Sequence, residues 1–439
     1  MKKVVLAMLI VMLAVGSVFA TGQSEDKGSG SAMTGTLKIW SPLTQKERAA
    51  ELENLAKEFE ALNPGVKVEI TVMPWSGLLD KLMASIMAGN PPDIAIVGQG
   101  YPQTLAASGG LMELSDLIAK VGGKDAFLGT SLSLGSTEDG IYSMPLYITP
   151  VVAYYRQSYL DAAGYDKIPT TWEDYYEMCK AVTDPANNRY GFGIPLGDHH
   201  GTKTIWSFLQ ANNVDLVNVD ENGKWYVDID DEDRAAMVET YKYFYKLVKD
   251  CAPAGVTSYT QTNVREMVAT GIIMSRIDTP EIYYNVAKMD PDHFDDVKYF
   301  RVPGRKSNRS YMGWVGMSVM TKGNTGLASK FIEYCYAGDT LVDFYVSYPH
   351  AMFPANKAIF EAAAYRDHLP KELQEMVPDL ALDILSSSAS IAMANGPFPY
   401  AGEVESKNYL GNALTRMLVN GISAEEAVDG VVADLNGLF

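Results

Sequence analysis

Two rhythms of apolar residues run through this sequence, and the switches between them mark out its elements. Thr36-Leu37-Lys38-Ile39-Trp40 alternates with a period of two, as a half-buried strand does. After Thr44 the period lengthens, and Leu52, Leu55, Ala56, Phe59 and Leu62 fall on one face of a helix. Glu47 follows Thr44 at the spacing of a capping box, and Asn63-Pro64-Gly65 stops the helix. Val66, Val68, Ile70 and Val72 then alternate as a second strand. Strand, helix and strand joined by short loops form a βαβ unit, so the sheet is at least partly parallel.

The succession continues. Leu78 to Met87 reads as a helix ended by Gly89-Asn90-Pro91-Pro92, Asp93 to Val97 as a short buried strand, and Tyr101 to Ser108 as a helix stopped by Gly109-Gly110. Val151 to Tyr155 is a strand, Thr171 caps a helix from Trp172 to Val182, and Gly191 to Pro195 is a further strand. Trp206 to Gln210 lies in the next helix, and Asp231 to Lys249 forms a long one. Strands over Tyr299 to Val302 and Val315 to Met320 precede a helix from Leu327 to Tyr336. The C-terminal third is mostly helical, and its last helix starts at a capping box made by Ser423 and Glu426. Alternation on this scale predicts an α/β fold with helices layered on sheets. Ligands in such sheets bind beyond the carboxyl ends of the strands. That rule singles out Trp40-Ser41, Val97-Gly98-Gln99 and the loop after Ile194.

The N-terminus bears on location. Lys2 and Lys3 precede an apolar run from Val4 to Val15, and Val18 and Ala20 occupy the small-residue positions of a cleavage site. This is the layout of a cleavable signal peptide over residues 1–20, followed by a Gly- and Ser-rich leader over 21–34. The apolar run is shorter than the roughly 20 residues that span a bilayer. No Cys lies near the cleavage site, so a lipid anchor is not expected, and the protein reads as periplasmic or secreted. Processing leaves about 419 residues, more than one core usually holds, so two lobes are expected. It also leaves 34 basic against 54 acidic side chains, a surface that repels nucleic acid and favours solubility. Cys179, Cys251 and Cys335 permit one disulfide but no disulfide framework, and Cys179 and Cys335 sit in apolar helical patterns that read as core.

A series of segments carries a resemblance. Lys38-Ile39-Trp40, Phe59-Glu60 with Asn63-Pro64-Gly65-Val66-Lys67-Val68, and Gly89-Asn90-Pro91-Pro92-Asp93-Ile94 come first. Gly109-Gly110-Leu111, Gly140-Ile141-Tyr142, Pro169-Thr170-Thr171-Trp172-Glu173-Asp174, Gly191-Phe192-Gly193-Ile194-Pro195 and Gly421-Ile422-Ser423-Ala424-Glu425-Glu426-Ala427 follow. In this order and spacing the chain resembles the extracellular solute-binding proteins of the maltose-binding-protein type, receptors of sugar ABC importers. The resemblance implies a two-lobed periplasmic-binding-protein fold, each lobe a mostly parallel sheet flanked by helices, with three hinge crossings near 147–152, 298–302 and 346–351. The lobes would then comprise 35–149 plus 300–347 and 150–299 plus 348–439. It implies closure on a sugar or polyol by hinge bending and handover to a membrane permease, by a monomer without catalytic residues, metal or cofactor.

A buried polyol needs hydrogen-bond partners for its hydroxyls and flat apolar surfaces for its C–H faces. Trp40 and Trp75 are the aromatic candidates in the first lobe, and Gln99 and Tyr101 follow the Asp93 strand. Thr44 and Gln45 match the family's first ligand loop in position, although the charged residues found there in maltodextrin binders are absent. Thr149 lies at the first crossing. In the second lobe, Asp198-His199-His200 suits either a sugar-binding or an exposed loop better than a metal site, since no zinc-type spacing accompanies it. Arg276, Asp278 and Thr279 follow Gly271-Ile272-Ile273-Met274, which resembles the family's glycine-and-methionine strand before a ligand loop, and that resemblance makes Asp278 a candidate. Trp314 and Gly316 read as a cleft-facing pair whose glycine admits close approach of a ligand, and Tyr400 follows Pro399. The alternative function is a secreted carbohydrate-active hydrolase, which would need two carboxylates flanking the scissile bond. No pattern marks such a pair, and no nucleophile elbow or zinc-protease motif is present.

Overall fold

The computed structural model describes residues 33–349, 351–376 and 380–439. The expected signal peptide, and the leader up to residue 32, lie outside the described residues. Among the described residues, apart from two small two-stranded sheets, ten strands build the two larger sheets. They are β1 (Thr34–Ser41), β2 (Gly65–Val72), β3 (Ile94–Gly98), β4 (Met144–Pro150), β5 (Val152–Arg156), β6 (Tyr190–Phe192), β7 (Ile273–Asp278), β8 (Val297–Phe300), β9 (Met312–Val319) and β10 (Phe353–Pro354).

The first sheet has the order β10-β4-β9-β3-β1-β2 and the second β8-β5-β7-β6. The βαβ unit is as expected: β1 pairs in parallel with β2 along their whole length and with β3 at Ile39 and Trp40. Strand β9 returns antiparallel between β3 and β4, and in the second sheet β5 runs against both β7 and β8. All five residues of β3 are buried, as a central strand covered on both faces requires, whereas β2 is an edge strand and is mostly exposed. Leu62, expected on the buried face of its helix, is 68% exposed at the helix end.

The capping boxes divide. Ser423 and Glu426 form theirs, and Thr171 accepts from the Asp174 N–H. Thr44 and Glu47 do not: the helix Lys46–Leu62 starts after Gln45 with no side-chain cap, and Glu47 instead accepts a hydrogen bond from Tyr284 of the second lobe at 2.8 Å.

The chain crosses between sheets first at Val151, which alone separates β4 from β5. The second crossing is later than expected. Val297–Phe300 belongs wholly to the second sheet, and Val302 and Tyr311 remain in the second core. The third is also displaced. Strand β10 pairs with Tyr147 and Ile148 of β4, Leu128 donates to the Ala355 carbonyl, and Thr130 donates to that of Leu385. Residues beyond 348 thus return to the first sheet, and the chain reaches the second core near Ala389, whose carbonyl accepts from the Trp206 indole.

Each lobe has its own apolar cluster. One joins Leu79, Val97, Leu105 and Met320; the other joins Trp172, Trp206, Phe244 and Val431. Cys179, Cys251 and Cys335 are buried and free, so the permitted disulfide does not form. Between the lobes Gly100 meets Gly402 of the helix Ala401–Ser406 backbone to backbone. A Cβ on Gly100 would lie 2.7 Å from the Gly402 nitrogen. Among the described residues no helix is long and apolar enough to cross a membrane.

Within the second lobe the Gly-Phe-Gly strand passes so close to the helix Trp172–Val182 that a Cβ on Gly191 would sit 1.8 Å from the Cys179 carbonyl oxygen. Backbone cannot yield as a side chain can. Gly191→Ala should therefore lower the unfolding free energy by about 3 kcal/mol, read as a reduced urea midpoint at unchanged m-value.

Candidate functional site

Where the two sheets face each other, the residues around the carboxyl ends of several strands enclose a cavity of about 120 Å³. A single water needs roughly 10–15 Å³ of such space, so the cavity has room for about ten waters or one small organic guest. From the first lobe it is lined by Gln45 and Arg48 at the start of the helix Lys46–Leu62, by Trp75, by Gly98-Gln99 after β3, by Tyr147 and Thr149 of β4, and by Gly313 to Val315 of β9. From the second lobe come His200, Lys203 and Thr204 of the helix His200–Ala211, Gln261 and Arg265 of the helix Gln261–Ala269, and Arg276 to Thr279 at the end of β7. Glu281, at the start of the helix Glu281–Met289, lines it too, as do Val151, Tyr311 and Ala351.

A chain of alternating charges runs along that wall. The Arg276 Nε lies 2.8 Å from Asp278, and Arg265 holds the same carboxylate in a fork, with Nε and Nη2 at 2.8 and 2.7 Å. Arg265 also pairs with Glu281, which reaches Arg48 of the opposite lobe at 2.5 Å. Arg48 donates to the Tyr147 hydroxyl at 3.2 Å and stacks over the Tyr348 ring at 4.4 Å. Burial alone would raise the Asp278 carboxyl, but the Arg265 and Arg276 guanidiniums outweigh it and hold it well below the usual carboxylate range. Burial draws Arg276 down to about 10, against the pull of Asp278. Lys203 is paired with Glu405 at 3.0 Å, and the His200 Nδ1–H donates to the Asp198 carboxylate at 3.0 Å.

Several lining groups keep hydrogen-bonding capacity that the protein itself does not use. The Gln99 amide donates to the Met312 carbonyl, but its Oε1 is buried without a partner. The same holds for Thr149 Oγ1 and Arg48 Nε. Beside these polar atoms stand two indoles. Trp75 is half-buried and meets Tyr101 edge-on at 6.5 Å. Trp314 is buried and donates its N–H to the Ser131 carbonyl at 2.9 Å.

Of the sequence candidates, Gln45, Trp75, Gln99, Thr149, His200, Asp278 and Trp314 line this cavity. The others do not. Thr44 is exposed outside it, and Trp40 packs with Met73 and Trp75 on the apolar cluster behind it. Tyr101 is buried in that cluster. His199 is buried behind His200, their rings 4.1 Å apart. A Cβ on Gly316 would lie 2.4 Å from the Trp314 ring, so this glycine makes room for the indole rather than for a ligand. Tyr400 packs on Phe398 and Phe439. Arg48, Lys203, Arg265 and Glu281 were not found from the sequence, although two of them leave a trace there. Arg48 precedes Leu52 by one turn on the apolar stripe of its helix, and Arg265 stands between the buried Val264 and Val268. A guanidinium where the helical period calls for an apolar residue is the signal.

A family model described as bacterial extracellular solute-binding protein matches residues 44–337. The putative ABC transporter periplasmic-binding protein YcjN of Escherichia coli K12 is 23% identical over 394 residues, covering 87% of this chain and 86% of its own. The diacetylchitobiose binding protein DasA of Streptomyces coelicolor is 27% identical over 351 residues, with 76% and 77% covered. Among solved structures, an ABC transporter solute-binding protein from Thermotoga lettingae bound with α-D-tagatose superposes with a TM-score of 0.76 at 20% identity, covering 92% of this chain and 99% of its own. One from Agrobacterium radiobacter K84 in complex with ribitol also gives 0.76, at 20% identity, covering 93% and 100%. These structural likenesses establish a two-lobed fold.

The buried histidine beside the site gives a pH test. Burial, then the neighbouring His200 and Lys203, hold His199 down to about 2, against about 6.5 in an unfolded chain. Between those values the unfolded chain binds a proton that the folded one refuses, so this contribution to stability is present above pH 6.5 and lost as the pH falls. His199→Gln should make stability fall less steeply between pH 7 and pH 5 than in the wild type, by up to about 1.4 kcal/mol per pH unit, as measured by urea unfolding at each pH.

Proposed function

Because the chain belongs to the bacterial extracellular solute-binding protein family, we propose that it is the receptor of an ABC importer, capturing a sugar or related polyol between its lobes and passing it unchanged to the membrane permease. The observation that carries this reading is a cavity walled by both lobes, in which Trp75 and Trp314 stand beside the unpaired Gln99 Oε1, Thr149 Oγ1 and Arg48 Nε. Indole surfaces suit C–H faces, and buried donors and acceptors without internal partners suit hydroxyls, which both donate and accept. Diacetylchitobiose, tagatose and ribitol, bound by the relatives above, are hydroxyl-rich compounds of this kind. The cavity volume fits a guest of one sugar ring or a linear polyol.

Closure by hinge bending follows from the contacts of the wall. The Arg48–Glu281 and Glu47–Tyr284 pairs join helices of opposite lobes and would part if the cleft opened. Asp278, held ionised by two arginines, is a poor proton donor, which speaks for binding over glycoside hydrolysis. Lys2, Lys3 and the following apolar run support export by a signal peptide removed after Ala20, and the mature protein acts as a monomer in the periplasm or outside the cell.

A panel of sugars and polyols tested by thermal unfolding should contain a compound that adds roughly 2.7 kcal/mol of stability at a hundred times its Kd. Chromatography should recover that compound intact. A panel without any stabilising member refutes sugar binding, and a released product refutes the receptor role. Trp75→Ala should weaken the same ligand about tenfold, in a variant that keeps a cooperative thermal transition. Unaltered affinity by titration calorimetry would take Trp75 out of the site.

A further inference from the structure

Resting on that receptor reading, we propose that the cleft selects for charge: it takes neutral sugars or polyols and refuses their carboxylate and phosphate forms, with the Glu281 carboxylate setting the preference. Four cations face the cavity, namely Arg48, Lys203, Arg265 and Arg276. Four carboxylates answer them. Asp278 and Glu281 line the cavity, Glu405 pairs with Lys203, and Asp198 accepts from the Gln261 and His200 backbone N–H groups on the β7 side of the wall. Burial keeps the His200 ring below its ordinary value, so it adds no charge at neutral pH. The wall is therefore balanced within itself.

An anionic guest finds only the spare Nε–H of a guanidinium; to neutralise its own charge it would have to draw that guanidinium away from the carboxylate it already holds, leaving the carboxylate buried and unpaired. Such an exchange lowers affinity by roughly a hundredfold or more. Of the unused groups, Arg48 Nε donates to a hydroxyl and an anion alike, Thr149 Oγ1 also serves either, and Gln99 discriminates. Gln99 Oε1 is an acceptor 3%-exposed at the cavity, which a hydroxyl proton satisfies and a phosphate or carboxylate oxygen repels. Glu281 holds the balance because it neutralises Arg265 of its own lobe and Arg48 of the other at once. With glutamine there, the wall keeps its shape and gains one net positive charge.

The test is calorimetric titration of the full mature chain with D-glucose, D-galactose, D-tagatose, ribitol and mannitol, and with D-glucuronate, D-galacturonate, gluconate and glucose 6-phosphate. The expected result is at least one neutral binder whose charged counterpart binds at least about a hundredfold more weakly. A charged form that binds as tightly as its neutral counterpart, or more tightly, overturns the proposal and leaves the receptor reading standing. Failure of both sets to bind overturns the receptor reading and the proposal with it. In Glu281→Gln the ratio of charged to neutral affinity should rise at least about tenfold. Arg48→Gln, which changes the balance in the opposite direction, should lower that ratio and favour D-glucosamine over D-glucose relative to wild type. Both variants are first checked for a cooperative thermal transition. If only one of them folds, an unchanged ratio in that one overturns the role of the wall charges.

Discussion

A charge taken out of water must be met by another, and the cleft of this protein is organised by that requirement. Asp278 and Arg276 share the end of one strand, yet the carboxylate needs Arg265 from a neighbouring helix, and Arg265 in turn engages Glu281 from the next. The last partner, Arg48, belongs to the opposite lobe. Buried ion networks seldom add net stability, because desolvation offsets the attraction. What they fix is geometry: with the lobes together, four elements are held in one arrangement and the lining atoms between them are aimed into the cavity.

This division of labour explains why the fold was more legible in the sequence than the site. β1, β2 and the helices between the early strands follow from local periodicity and local stop signals. The Ser423 capping box forms because both of its partners lie within one turn. The Thr44 and Glu47 pair has the same spacing and does not form, because Glu47 is claimed by a tyrosine 237 positions away. Strand β10 has two residues, one of them proline, and no alternation to read, so its return to the first sheet could not be anticipated from pattern. Gln45, Trp75 and Gln99 were reachable because they follow strand ends. Arg48 and Arg265 lie inside helices, where only their place on an apolar stripe distinguishes them.

The relatives named above share this scaffold at low identity while their own ligands differ. A fold that carries many specificities does so by changing the wall of the cleft and keeping its frame. In this chain the frame includes Gly316, whose missing side chain leaves room for the Trp314 indole. The indole that lines the cavity is thus held by its N–H bond to the Ser131 carbonyl, which lies outside the cavity lining.

The meeting of Gly100 with Gly402 acts in a similar way at the rim. Main chain rests on main chain there, with no flexible group to compress, so the two halves come to a hard stop. The headroom inside is thus gauged by the frame and not by the cargo. A thicker passenger would be turned away by a bearing surface that it never touches, and a lineage adapting to one would have to recut that bearing before any change in the lining could help.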